Sequence, residues 1–138
     1  MGGPKSVTQD TLQIVEKVRA LIAAGQHGAA ASLCEQNLGQ LPPGAAAGLL
    51  NGLLLTIKGR PNDAIAAYDM ALSFAPDALY AYVGIAEILV EKGWLHSAAV
   101  VMEEARKTVP ATAEARALFD TLCARLEKLP RTAGGGST

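Results

Sequence analysis

Apolar positions along this chain recur at spacings of three and four, the period of an amphipathic helix, and glycine or proline interrupts them at regular intervals. The pattern predicts seven helices. The first spans roughly 8–24 and stops at Gly25; the second spans about 27–40 and stops at Pro42-Pro43-Gly44, which a helix cannot continue through. Helices at about 45–58 and 61–74 are split by Gly59, with Pro61 at a favourable first helical position. Helices at about 79–92 and 95–108 are split by Gly93. The seventh, about 112–128, carries Ala115, Leu118, Phe119, Leu122, Cys123 and Leu126 on one face and Glu114, Arg116, Asp120, Arg125 and Glu127 on the other. One helix departs from this two-faced pattern. The stretch AAAGLLNGLLLTIKG is apolar nearly all round, with Asn51, Thr56 and Lys58 as its polar breaks. Such a helix needs cover on every face.

The interruptions are periodic. Gly25, Gly59 and Gly93 are 34 residues apart, as are Ala30, Ala64 and Ala98, Pro42, Pro76 and Pro110, and Leu21, Leu55 and Leu89. A repeat of that length built from paired helices implies an α-solenoid, in which each unit buries its core against its neighbours.

Composition narrows the picture further. Half of the 138 residues are apolar but only 4% are aromatic, so the interior must be Ala, Leu, Val and Ile, which suits closely approaching helices. The length suits one domain, placed at 8–129, between an N-terminus at 1–7 and a tail at 130–138 that both read as disordered. The net charge of −1, with no basic stripe, argues against nucleic acid as partner. No apolar run is long enough to span a membrane, and MGGPKSVTQD lacks the form of a secretory signal, so a cytoplasmic location is expected.

The repeat resembles the tetratricopeptide repeat (TPR) family. Three units fall at 11–44, 45–78 and 79–112, with 113–128 as a capping helix. The third carries Tyr82, Ile85, Ala86, Leu89, Gly93, Ala98, Met102, Ala105 and Pro110; the second carries Gly52, Leu55, Gly59, Ala64, Tyr68, Ala71 and Pro76. The first is degenerate, with Val18 in place of a small residue and Asn37 in place of alanine. The fold class expected is therefore all-α, a TPR-like α-solenoid of three helix-turn-helix repeats and a cap. Ala30, Ala64 and Ala98 sit where the helices of a unit cross. Gly52 and Ala86 are expected to let the next unit dock, while Tyr68 and Met102 fill gaps between units. Gly48 and Gly52, four apart, permit a very close approach. Asn51 stands where the family has a large apolar residue; it either bonds neighbouring backbone or meets a partner.

Residues for chemistry are scarce. There is no CxxC, HExxH, phosphate-cradling glycine loop or supported carboxylate pair, so no catalytic, cofactor-binding or metal residue is assigned and an enzyme is not expected. His27 and His96 lie two units apart on the solvated edge. Cys34 and Cys123 are expected in the core, and Trp94 over a helix junction. Glu103, Glu104, Arg106 and Lys107 read as a solvated face.

The resemblance implies a superhelix whose concave wall is lined by the first helix of each unit. The inner positions are Leu12, Val15, Arg19 and Ile22, then Leu49, Leu50, Leu53 and Ile57 (with Ala46), then Tyr80, Val83, Glu87 and Val90. With one basic residue, this wall lacks what a carboxylate clamp for chaperone C-termini needs. The stripe Leu49-Leu53-Ile57 is expected to stand exposed as a trough for an amphipathic or apolar helix of a protein partner. Aspartate at Leu53 or Ile57 should then abolish binding and spare the fold. A small TPR protein with such a groove is similar to bacterial type III secretion chaperones, which would make this a chaperone or adaptor. The alternatives are that the leucines are simply core, or that the chain is a self-associating scaffold.

Overall fold

The computed structural model describes residues 8–108 and, beyond them, 116, 117, 119–121, 123 and 124. It contains helices α1 (Gln9–Ala23), α2 (His27–Leu38), α3 (Ala45–Ile57), α4 (Pro61–Phe74), α5 (Leu79–Glu91) and α6 (Leu95–Thr108). Each agrees with its predicted bounds within about two residues, the uncertainty of helix ends themselves. The described positions from 116 to 124 are helical as well; the rest of the expected cap, both termini and Pro110 lie outside the described residues. The fold is all-α and built of helix-turn-helix repeats, the construction of an α-solenoid.

The three turns within the repeats are the same structure made three times. Gly25, Gly59 and Gly93 have φ of 80°, 75° and 83°, the left-handed region that glycine enters without a Cβ penalty. The residue after each glycine donates its backbone N–H back to a leucine carbonyl: Gln26 to Leu21 at 2.9 Å, Arg60 to Leu55 at 2.9 Å, Trp94 to Leu89 at 2.8 Å. The glycine N–H bonds one residue later in the same helix, to the carbonyls of Ile22, Thr56 and Val90. This paired closure is the Schellman motif, which satisfies carbonyls that a helix end would orphan. The carbonyls of Gln26, Arg60 and Trp94 then accept from Ala30, Ala64 and Ala98 and start the following helix. One turn thus accounts for the glycine column and sets the register of the leucines and alanines on either side of it.

By its contacts the chain divides into two compact units, Met1–Ala81 and Tyr82–Thr138. In the first, α3 packs most extensively on α4 and also touches α2 and α1, while α1 packs on α2. Its core contains Val15, Val18, Ala30, Cys34, Leu49, Leu50, Leu53, Ala64, Tyr68 and Ala71. A Cβ on Gly48 would stand 2.8 Å from the Ala71 Cβ and 2.9 Å from its backbone nitrogen. On Gly52 it would overlap the Tyr68 ring. Gly52 therefore receives Tyr68 of its own helix pair, a docking within the unit where one between units was expected. The N-terminus of α1 is capped by the Thr8 hydroxyl, which accepts from the Thr11 N–H.

In the second unit Val83, Ala86, Ile88, Ala98, Ala105 and Phe119 are buried. The Thr108 hydroxyl donates to the Tyr82 hydroxyl at 3.0 Å, and the Arg106 guanidinium lies 5.8 Å from the Phe119 ring centroid.

Candidate functional site

The face of the first unit that the resemblance makes its inner wall is built on α1 and α3 and meets the start of α5. On α1, Val15, Glu16 and Arg19 lie within one turn, so the carboxylate and the guanidinium share a face. On α3, Leu49 and Leu53 are four apart and stack along the same stripe. Val15, Arg19, Leu49, Leu53, Tyr68 and Tyr80 surround one small gap, and the space among them is too small for a water molecule.

This overturns the exposed trough. Leu49 is 1% exposed, Leu50 is wholly buried and Leu53 is 4% exposed, so the chain's own side chains cover the stripe. Only Ile57, at its end, is half-buried. The expectation that aspartate at Leu53 would spare the fold falls with it, because an unpaired carboxylate there would be buried in an apolar core.

The cover is Tyr80. Its ring is 6% exposed, with the Arg19 guanidinium 5.4 Å from its centroid. Its hydroxyl donates to Glu16 Oε2 at 3.1 Å, across 64 positions of sequence. Burial first, then the charge and hydrogen bond of Glu16, push the phenol up to about 12, against a smaller opposing pull from Arg19. The hydroxyl therefore keeps its proton and remains a donor at any ordinary pH.

Five of the twelve predicted positions, Val15, Arg19, Leu49, Leu53 and Tyr80, meet at this one point. Leu12 and Ile22 are half-buried elsewhere on α1, and Leu50 turns wholly into the core. In the second unit Val83 and Val90 are buried and Glu87 is half-buried. Sequence reasoning missed Glu16. Its only local signal is its place three residues before Arg19, and its partner, Tyr80, lies in another repeat.

Other candidates resolve simply. Asn51 is exposed, so it is not a buried amide seeking backbone. The half-buried Asn37 donates to the Leu33 carbonyl at 2.9 Å. Trp94 is 43% exposed, with the Lys92 ammonium 5.3 Å from its ring centroid. Cys34 is fully buried and Cys123 half-buried. His27 and His96 are exposed. Among the described residues no three His, Cys, Asp or Glu side chains are grouped to hold a metal ion, and no helix is long and apolar enough to cross a membrane. On the outer face of α4, Ala66, Met70 and Phe74 form an exposed stripe, with Met70 at 58% and Phe74 at 48%.

Comparison with protein-family models and with curated proteins gives no match for this chain.

Proposed function

We propose that the chain is a non-enzymatic protein-interaction module of the TPR type, which takes an apolar or amphipathic helical segment of a protein partner on its inner wall. One observation carries this reading. The Leu49 and Leu53 stripe of α3 meets the Tyr80 ring at a gap too small for water, and that ring is held by polar contacts from Glu16, which is exposed, and Arg19, which is half-buried. A guest helix offering one large apolar side chain can replace that ring at little net cost in buried surface. The free protein meanwhile avoids the aggregation that an open greasy trough invites. A sequestering chaperone or adaptor of the bacterial secretion kind, working in the cytoplasm, is the narrower form of the proposal.

The test compares two surfaces in a partner-capture assay with the partner mapped by cross-linking. Ile57→Asp alters the one half-buried member of the inner stripe; Phe74→Asp alters the outer face of α4. Loss of a specific cross-linked partner in Ile57→Asp alone supports the inner wall. Loss in Phe74→Asp alone moves the site to α4.

That outer stripe favours a second reading, a scaffold that self-associates through Ala66, Met70 and Phe74. Molar mass by light scattering separates the two. A monomer over a wide concentration range removes the scaffold, and a mass that Phe74→Asp returns to monomer supports it.

A further inference from the structure

We propose that Tyr80, Glu16 and Arg19 form an internal latch, which holds the inner wall shut until a guest displaces the Tyr80 ring. The inference rests on the inner-wall reading and adds the way that wall is regulated.

Three features set this contact apart from ordinary packing. The ring lines one small gap with Val15, Leu49 and Leu53, the most apolar part of the wall, and that gap has no room for water. Its two polar tethers come from one face of α1, an acceptor for the hydroxyl and a cation for the ring. Those tethers lie toward solvent, Glu16 exposed and Arg19 half-buried, where water can take over the carboxylate's bond once the phenol leaves. The second repeat has Leu50 and Leu53 at the positions that Glu16 and Arg19 occupy in the first, and the third has Gly84 and Glu87. Among the three, only the first repeat offers an acid and a base together, and only the third offers a tyrosine at the position of Tyr80. A polar tether to an apolar plug is a reversible closure, since neither contact is worth more than a few RT once water competes.

The test uses the whole chain and the dye 1-anilinonaphthalene-8-sulfonate, which brightens on exposed apolar surface. Tyr80→Phe and Glu16→Gln keep the ring and remove or weaken the same hydrogen bond. Each should raise dye affinity roughly tenfold over the parent, the expected effect of losing a bond to a charged group. The double variant should add little beyond either single one, because both act on one bond, whereas general loosening of the core would add. Tyr80→Ala should bind dye most strongly. Unchanged dye affinity in both Tyr80→Phe and Glu16→Gln, with helical circular dichroism intact, overturns the latch. These two variants decide the matter even if Tyr80→Ala loses its fold. Dye binding that rises while partner capture is insensitive to Ile57→Asp keeps the latch and removes the inner-wall function. Capture lost in Ile57→Asp with no dye response in the latch variants keeps the function and removes the latch.

Discussion

The first and second helix pairs share a turn, a length and a period, yet they solve packing in opposite ways. At one level of the repeat, α1 and α2 carry Val18 and Cys34, both fully buried. At the same level α3 and α4 carry Gly52 and Tyr68, with the tyrosine ring pressed on the glycine. The bulk has moved from one helix to the other. At a second level, Ile14 and Asn37 are half-buried, where Gly48 and Ala71 are buried and almost in backbone contact. The faces differ again at the inner wall, where Glu16 and Arg19 stand in register with Leu50 and Leu53. One turn motif therefore fixes the repeat, and what it presents is decided by which helix carries volume and which carries charge.

The largest test exchanges charge between the pairs. Leu53→Arg puts the first repeat's residue into the second. Arg19 reaches the surface and stacks on Tyr80, whereas Leu53 is 4% exposed among apolar neighbours. The guanidinium would be buried unpaired, and unfolding in urea should show a loss of about 4 kcal/mol or more. Arg19→Leu in the same assay should cost far less, about 1 kcal/mol, since the side chain it replaces is half-buried and its charge is within reach of water. Similar losses for both would mean that the two walls are not different in kind.

Next in size is Gly48→Val. The neighbours facing Gly48 are the Ala71 Cβ and the backbone of Ala67 and Ala71, none of which can rotate away. The helices must part, at a cost of about 3 kcal/mol, which the gain in helix propensity offsets only in part. A loss below about 1 kcal/mol would show that α3 and α4 are not locked at this level.

The third prediction moves bulk back across the pair. Gly52→Val crowds the Tyr68 ring and should cost about 2 kcal/mol, while Tyr68→Cys leaves a void and should cost about 3. Together they recreate the Val18 and Cys34 arrangement. The double variant should be more stable than the sum of its parts by about 1–3 kcal/mol, read from a double-mutant cycle. Strict additivity would break the claim that the two pairs are volume-conserving versions of one design.

These differences also explain what could be read from the chain in advance. The turns are local: glycine at φ near +80°, a leucine carbonyl five residues before its donor, and an alanine opening the next helix all lie within about ten residues. Helix bounds and repeat register follow from them. The closed inner wall is not local. Leu49 and Leu53 read as an uncovered stripe because their cover, Tyr80, comes from the next repeat and its tether, Glu16, from the previous one. No periodicity within α3 encodes that meeting. Gly52 was misjudged for a related reason: its small size was legible, but whether a neighbour from its own pair or from the next would use the space was not.

The smallest effect concerns the thiol at the position where the second pair has Tyr68. Burial first, and the charge of Glu35 second, push Cys34 up to about 11 from an ordinary value of 9. The fold thus holds this proton more tightly than the unfolded chain does. Its contribution to stability is complete below pH 9 and is lost as pH rises toward 11, with a slope of at most about 1.4 kcal/mol per pH unit. Tyr80, whose phenol is also raised, begins to act only above pH 10, the ordinary value for tyrosine. Urea midpoints between pH 9 and 10 therefore isolate the cysteine. The parent should weaken across that interval, and Cys34→Ala should flatten the fall there, leaving above pH 10 only the part that Tyr80 contributes. If Cys34→Ala follows the parent throughout, water reaches Cys34 well enough to solvate a thiolate, and α1 and α2 are packed less tightly than their buried side chains imply.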